Sequence, residues 1–269
     1  MSTELLFATP PQQLGSARLL SHAAVQWPSR AARANLQPLA DDSHSNLGWH
    51  DDSQALVSHP LDRDGRYQLA FSFTSAALLW LTEGTVAATL LLADADETSA
   101  GAWCDALLAE AGLRATGVAE VPYELAPVDY AGFAAAGAAL ETLGAWYAQG
   151  QVVLQTLVGA FGPRAVVLPT VRCWPHHYDL GTLFALDASD PETARSIGVG
   201  LSPGDGSYAE PYFYCTPWPT PARLPAAPET LHWHTQGFTS LVLPASRVGR
   251  RTELPALLTA AVELAHRTL

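Results

Sequence analysis

The sequence predicts an α+β fold with mostly antiparallel sheet, packed helices and a closing C-terminal helix. Two observations carry that prediction. Strand-like and helix-like stretches come in blocks, strands then helix and again strands then helix with helices between, not in β-α-β alternation. Two apolar runs, Ala77–Leu81 and Thr85–Leu92, flank the short turn Glu83-Gly84, which suits a hairpin over the core and therefore antiparallel pairing.

The elements follow in order. After a polar, proline-punctuated opening, Gly15–Ala34 has a helical composition. In Tyr67–Ser75, Tyr67, Leu69, Phe71 and Phe73 alternate with polar or small residues, the period of two of a half-buried strand. Asp94–Ala111 reads as a helix, with Thr98 or Ser99 available as N-cap and Gly112 at the C′ position. A short strand is expected near Val118–Leu125, a small-residue helical region over 128–149, and a further apolar segment over 152–161. Strands are then expected at 165–173, 177–186, 196–202, 211–217 and 231–243. The helix at 252–268 presents Leu254, Leu257, Leu258, Ala261, Leu264 and Ala265 as one stripe and tolerates Pro255 in its first turn. A chain of 269 residues suits a single domain over 1–269, or two lobes joined near 127–163.

Composition narrows the chemistry. The 14 basic residues are all arginine, against 26 acidic ones, for a net charge of −12. Without lysine there is no Schiff-base lysine and no phosphate-binding G-x-x-x-x-G-K-[ST] loop. The acidic excess argues against a nucleic-acid partner, because backbone tracking needs clustered cations. Between Ala131 and Pro163 only Glu141 is charged, yet Gln149, Gly150, Gln151 and Gln155 break the run, so a buried helix and no membrane partner are expected. The N-terminus lacks the basic region of a secretory signal, and three cysteines without C-x-x-C suit a reducing compartment; a cytoplasmic location is expected.

The segment 174–238 holds ten of the 24 Phe, Tyr and Trp residues and four of the nine histidines. Aromatic walls with a few polar groups build small-molecule pockets. The expected pocket is lined by Trp174, His176, Tyr212, Tyr214, Trp233 and Arg247 as substrate-binding residues, with His232 beside them. His177, Asp179 and Glu210 are the candidate catalytic groups. His177-x-Asp179 and His232-x-His234 each place two side chains on one strand face. A two-histidine, one-carboxylate set of His177, Asp179 and His234 would suit a divalent metal, iron or zinc. The leading expectation is an enzyme acting on a small neutral or cationic molecule. The alternative is a non-catalytic ligand-binding or structural protein, possibly a homo-oligomer, in which these residues form a buried hydrogen-bond network.

Three further motifs carry less. Gly200-Leu201-Ser202-Pro203-Gly204 matches a nucleophile elbow as a string, but Pro203 has no N–H for an oxyanion hole. Gly198-Val199-Gly200 lacks the third glycine of a dinucleotide loop. Cys173 or Cys215 beside a histidine could act as a thiol nucleophile, although free cysteines are mostly buried small hydrophobes.

The pattern W-x-x-x-[YF]-D-L at Trp174–Leu180, followed by S-P-G-D-G-x-x-x-E-x-x-F-Y and a proline-bounded strand, resembles an uncharacterised bacterial domain-of-unknown-function family. The stretch Leu19–Gln26 is similar to that family's N-terminal L-H-x-x-x-Q helix. The resemblance covers most of the chain and implies no activity, since none is assigned to the family.

Overall fold

The computed structural model describes residues 4–118, 121–188, 194–248 and 253–269. The fold is α+β, built on two antiparallel sheets with a C-terminal helix. The chain divides into two compact units. One comprises Met1–Ala148 with Cys173–Tyr178, the other Gln149–Arg172 with Asp179–Leu269.

In the first unit, the expected helix over Gly15–Ala34 is two helices, α1 (Gly15–Ala24) and α2 (Gln26–Asn35). The break has a local cause. Pro28 would clash with the carbonyl of Ala24 in a continuous helix, whereas in the first turn of α2 its missing N–H is not needed. The sheet has the order β1 (Gly48–His50), β2 (Ala55–Val57), β3 (Tyr67–Ser72), β4 (Ala77–Thr82) and β5 (Thr85–Leu91), with every neighbouring pair antiparallel. β1 and β2 were not foreseen; each is three residues, too short to show a period. Glu83 (φ 50°) and Gly84 (φ 76°) form the two-residue β4–β5 turn with both residues left-handed, the geometry that matches strand twist. β4 is buried, whereas β5 is largely solvent-facing, so only the first arm of the hairpin lies over the core. α3 (Glu97–Glu110) is capped by Asp96, not by Thr98 or Ser99. The Asp96 carboxylate accepts from Ser99 N–H and the Ser99 hydroxyl accepts from Asp96 N–H, a reciprocal capping box. Gly112 (φ 71°) closes the helix as expected.

The regions expected at 128–149 and 152–161 are a short 3-10 turn, Tyr130–Ala134, followed by one unbroken helix, α4 (Gly137–Phe161). Gly150 does not break α4 because it serves packing. A Cβ there would lie 2.8 Å from Leu201 Cδ2 and 3.3 Å from Leu180 Cδ2, so the bare backbone lets the helix approach these strand residues. Gly144 does the same beneath Phe73, whose ring stacks on Tyr147 with centroids 5.1 Å apart. Phe73, Trp146 and Tyr147 are all buried, and the Trp146 indole donates to the Leu6 carbonyl. The expected strand near 118–125 is not present over the described residues 121–125; residues 119–120 lie outside the described residues.

The short β6 (Arg172–Trp174) is all that forms of the strand expected at 165–173. Cys173 bridges Leu47 of the first unit in antiparallel fashion. In the second unit β7 (Asp179–Ala185), β8 (Ser196–Ser202), β9 (Tyr212–Trp218), β10 (His232–His234) and β11 (Ser240–Pro244) run in the order β10-β11-β9-β8-β7, all antiparallel. The strand expected at 231–243 is thus a hairpin, because Gly237 (φ 87°) turns the chain between β10 and β11. The strand expected from 177 starts at Asp179; residues 175–178 are a turn, closed by Tyr178 N–H on the Trp174 carbonyl at 2.7 Å, with Tyr178 left-handed at φ 58°. After the single turn α5 (Ala245–Val248) comes α6 (Leu254–Thr268), where Leu254, Leu258, Ala261 and Ala265 of the expected stripe are buried. Residue 252, the expected helix start, lies outside the described residues. No helix among the described residues is long and apolar enough to cross a membrane.

Two glycines of α4 give opposite expectations. Alanine is the better helix former by roughly 1 kcal/mol, but overpacking costs about 1–3 kcal/mol. At Gly144 the added Cβ would sit 2.6 Å from Phe73 Cβ, so Gly144→Ala should lower the urea midpoint. Gly159 has nothing within 4 Å, and Gly159→Ala should raise it.

Candidate functional site

In the second unit, three hydrogen-bonded groups are each built around a tyrosine. The first is centred on Tyr208. Its hydroxyl lies 2.8 Å from His232 Nε2 and 3.0 Å from His234 Nδ1. The alternation of β10 puts both imidazoles on one face, as the H-x-H spacing predicts. The Pro-Gly-Asp-Gly turn delivers Tyr208 to them. Asp205 Oδ1 accepts from the N–H groups of Ser207 and Tyr208, and Asp205 N–H donates to the Tyr208 carbonyl.

Hydrogen counting orients this cluster when both rings are neutral. His234 Nε2 lies 2.6 Å from the Gln236 carbonyl, which can only accept, so that nitrogen carries its hydrogen. His234 Nδ1 is then an acceptor and takes the Tyr208 O–H. The Tyr208 oxygen in turn accepts from His232 Nε2–H, and His232 Nδ1 is left as a buried acceptor with no partner among the described residues. Partial burial, then the Arg247 charge and the His234 ring, lower the basicity of His232. Burial, then the Asp205 carboxylate, raise the pKa of the Tyr208 phenol. His234 stacks on Phe238 with centroids 4.2 Å apart.

The second group is Tyr214 with Asp179. The Tyr214 hydroxyl donates to Asp179 Oδ2. To reach it the ring lies over two glycines paired across β7 and β8, Gly181 and Gly200. A Cβ on Gly200 would fall 2.5 Å from Tyr214 Cζ and 2.6 Å from the Leu180 carbonyl oxygen; one on Gly181 would fall 2.9 Å from the Tyr214 hydroxyl. The third group is Tyr212, whose hydroxyl donates to Asp205 Oδ2 at 2.6 Å, while its ring packs on Tyr208 at 4.7 Å. Burial, then that carboxylate, push the Tyr212 phenol well up. The two oxygens of Glu210 accept from the backbone N–H (2.6 Å) and hydroxyl (2.7 Å) of Ser246 in the first turn of α5. Trp233 donates its indole N–H to the Pro225 carbonyl, away from the tyrosines. Arg247 is exposed and its charge acts on Tyr208 and His232.

Trp174, His176 and His177 belong to the first unit. His176 and His177 are exposed on the turn before Asp179, their rings 4.1 Å apart, and Trp174 and Tyr123 pack against His176. The expectation that His177 and Asp179 share a strand face is overturned, because Pro175 and left-handed Tyr178 place His177 in a turn. The metal set His177, Asp179 and His234 is not assembled either. Among the described residues no three His, Cys, Asp or Glu side chains are grouped to hold an ion. The thiols fare no better as nucleophiles: all three cysteines are buried, and burial raises Cys104 and Cys215 far above neutral pH.

What the sequence reading missed is the first unit's hold on that turn. The buried Pro175 carbonyl accepts from His22 Nε2 (2.7 Å) and from the Gln26 amide (3.2 Å). Gln26 also donates to the His22 carbonyl and accepts from Tyr123, so both hydrogens of its amide are used. His22 stacks on Tyr178 at 5.0 Å and 7°, and the Tyr147 hydroxyl donates to the Tyr178 carbonyl at 2.5 Å. The H-x-x-x-Q spacing of His22 and Gln26 was the available signal; its partner, a backbone carbonyl about 150 residues away, leaves no mark in the sequence. Comparison with protein-family models, with curated proteins and with solved structures finds no match.

Tyr214→Phe removes a hydrogen bond to a carboxylate and should destabilise the protein by about 1.5–3 kcal/mol in urea unfolding; an unchanged midpoint would show the bond contributes nothing net. Burial, the dominant cause, depresses His22 below its ordinary 6.5. The unfolded chain therefore binds the extra proton first, and stability should fall as pH drops below about 6.5 towards the folded-state value. In His22→Gln that part of the pH slope should disappear.

Proposed function

We propose that the chain is an enzyme of proton transfer on a small molecule, with His232 as general base and Tyr208 and His234 as its relay. The observation that carries this is the bare Nδ1 of His232 at the end of an oriented hydrogen-bond chain. A buried acceptor left unmade costs about 1–3 kcal/mol, so folded proteins satisfy nearly all of them. An O–H, N–H or activated C–H of a bound molecule would satisfy this one. When that proton moves to Nδ1, the Nε2 proton passes to the Tyr208 oxygen and the Tyr208 proton passes to His234 Nδ1. The pair gains one proton, the substrate becomes its conjugate base, and the positive charge ends on His234. There it keeps its N–H on Gln236 and gains the face of Phe238. The substrate's developing negative charge would lie in the field of Arg247, which also acts on His232.

The competing reading, a non-catalytic protein whose polar residues are scaffold, is favoured by the carboxylates. Asp179, Asp205 and Glu210 each accept hydrogen bonds that hold a tyrosine or a helix start. The two readings differ in what Tyr208→Phe does. In histidine-labelled protein followed by nitrogen NMR, the relay predicts an Nε2–H tautomer for His232 and linked titrations of His232 and His234 that become independent in Tyr208→Phe. Deuterium incorporation into a panel of small carbonyl compounds should then fall by about a hundredfold or more in His232→Gln. Independent imidazole titrations in the wild-type protein would sink the relay. Linked titrations without any turnover would favour the scaffold reading.

A further inference from the structure

The first unit holds a cleft that none of the motifs pointed to. Its volume is about 200 Å³, and it is lined by Trp27 and Arg30 of α2, Glu97 at the start of α3, and Leu125, Val128 and Tyr130 of the intervening segment. This is below the roughly 300–1,000 Å³ of drug-sized sites, so the matching ligand is a small metabolite. Three features define its chemistry. Arg30 and Glu97 line the same cleft with opposite charges, and among the described residues neither has an ion-pair partner. Both charges act on the same Tyr130 hydroxyl. The guanidinium of Arg30 sits over the Trp27 ring, its carbon 5.2 Å from the centroid, which holds the fork in place without using its donors. The buried Trp27 indole donates to the Tyr130 oxygen at 3.0 Å, so the Tyr130 hydrogen remains available to donate. Leu125 and Val128 add an apolar wall.

We infer that this cleft binds a small zwitterion of the amino-acid type, its carboxylate on Arg30 and the Tyr130 hydroxyl, its ammonium facing Glu97, and its apolar side chain against Leu125 and Val128. A simple anion would gain nothing from Glu97, an exposed carboxylate lining the same cleft, and a simple cation would leave Arg30 and Tyr130 without an acceptor. The aliphatic amino acids are therefore the class in which every polar group has a counterpart. The site lies wholly within the first unit and does not depend on the His232 relay.

The test is calorimetric titration of the full chain with alanine, valine and leucine, and with the two single-charge counterparts of valine, 3-methylbutanoate and isobutylamine. At least one amino acid should bind saturably, and each counterpart of valine should bind at least about tenfold more weakly than valine itself. Arg30→Gln, Glu97→Gln and Tyr130→Phe should each weaken amino-acid binding, the first two by about tenfold or more, with thermal melting confirming that the variants fold. No saturable binding of any amino acid at millimolar concentration would overturn the inference. So would equal affinity for 3-methylbutanoate and valine, or binding indifferent to both charge substitutions. The comparison of ligands on the unaltered protein stands even where a variant fails to fold.

Discussion

A phenol hydroxyl has one hydrogen to give. Because Tyr208 stands between two imidazole nitrogens, it can donate to only one of them and must accept from the other. The Gln236 carbonyl, which cannot donate, decides which. With both rings neutral, that single constraint fixes the tautomers of both histidines, the direction of the chain and the acceptor left over on His232. Turn chemistry holds the constraint in place. The Asp205 carboxylate uses one oxygen to fold the Pro-Gly-Asp-Gly turn that presents Tyr208 and the other to hold Tyr212, whose ring packs on Tyr208.

The carboxylates of this sheet are positioned by hydrogen bonds and steric allowance together. Asp179 reaches Tyr214 only because Gly181 and Gly200, paired across two strands, leave the space that side chains would occupy. Glu210 is drawn the other way, to the two donors of Ser246 at the start of α5. A carboxylate that accepts two hydrogen bonds from a helix start is well placed to stabilise the helix and poorly placed to ligate a metal. That is why residues close in sequence and alike in chemistry do not gather into one ligand set.

The first unit uses its polar residues in a complementary way. His22 and Gln26 converge on the carbonyl of Pro175, a residue that cannot itself donate, and Tyr147 holds the carbonyl of left-handed Tyr178. The turn carrying His176 and His177 is thus fixed at its backbone while both side chains stay exposed. Gln26 also lines the cleft beside α2, where Arg30 and Glu97 have no ion-pair partner among the described residues, whereas both amide hydrogens of Gln26 are used.

Much of this was legible in the sequence. Period-two alternation located β3, the Glu83-Gly84 pair located a hairpin, and the H-x-H spacing placed His232 and His234 on one face; each depends on residues adjacent along the chain. The α+β class and the C-terminal helix follow from the same local patterns. Continuity and partnership were decided by tertiary structure. Gly150 does not interrupt α4, because strand residues pack against its bare backbone. The pairing of Asp179 with Tyr214 and of Tyr208 with two histidines, and the placing of Arg30 and Glu97 on one cleft, join residues separated by tens of positions. Local pattern is set by side-chain period and backbone sterics, which act over a few residues. Which polar group meets which acceptor is set by how the elements pack, and packing depends on every side chain at once.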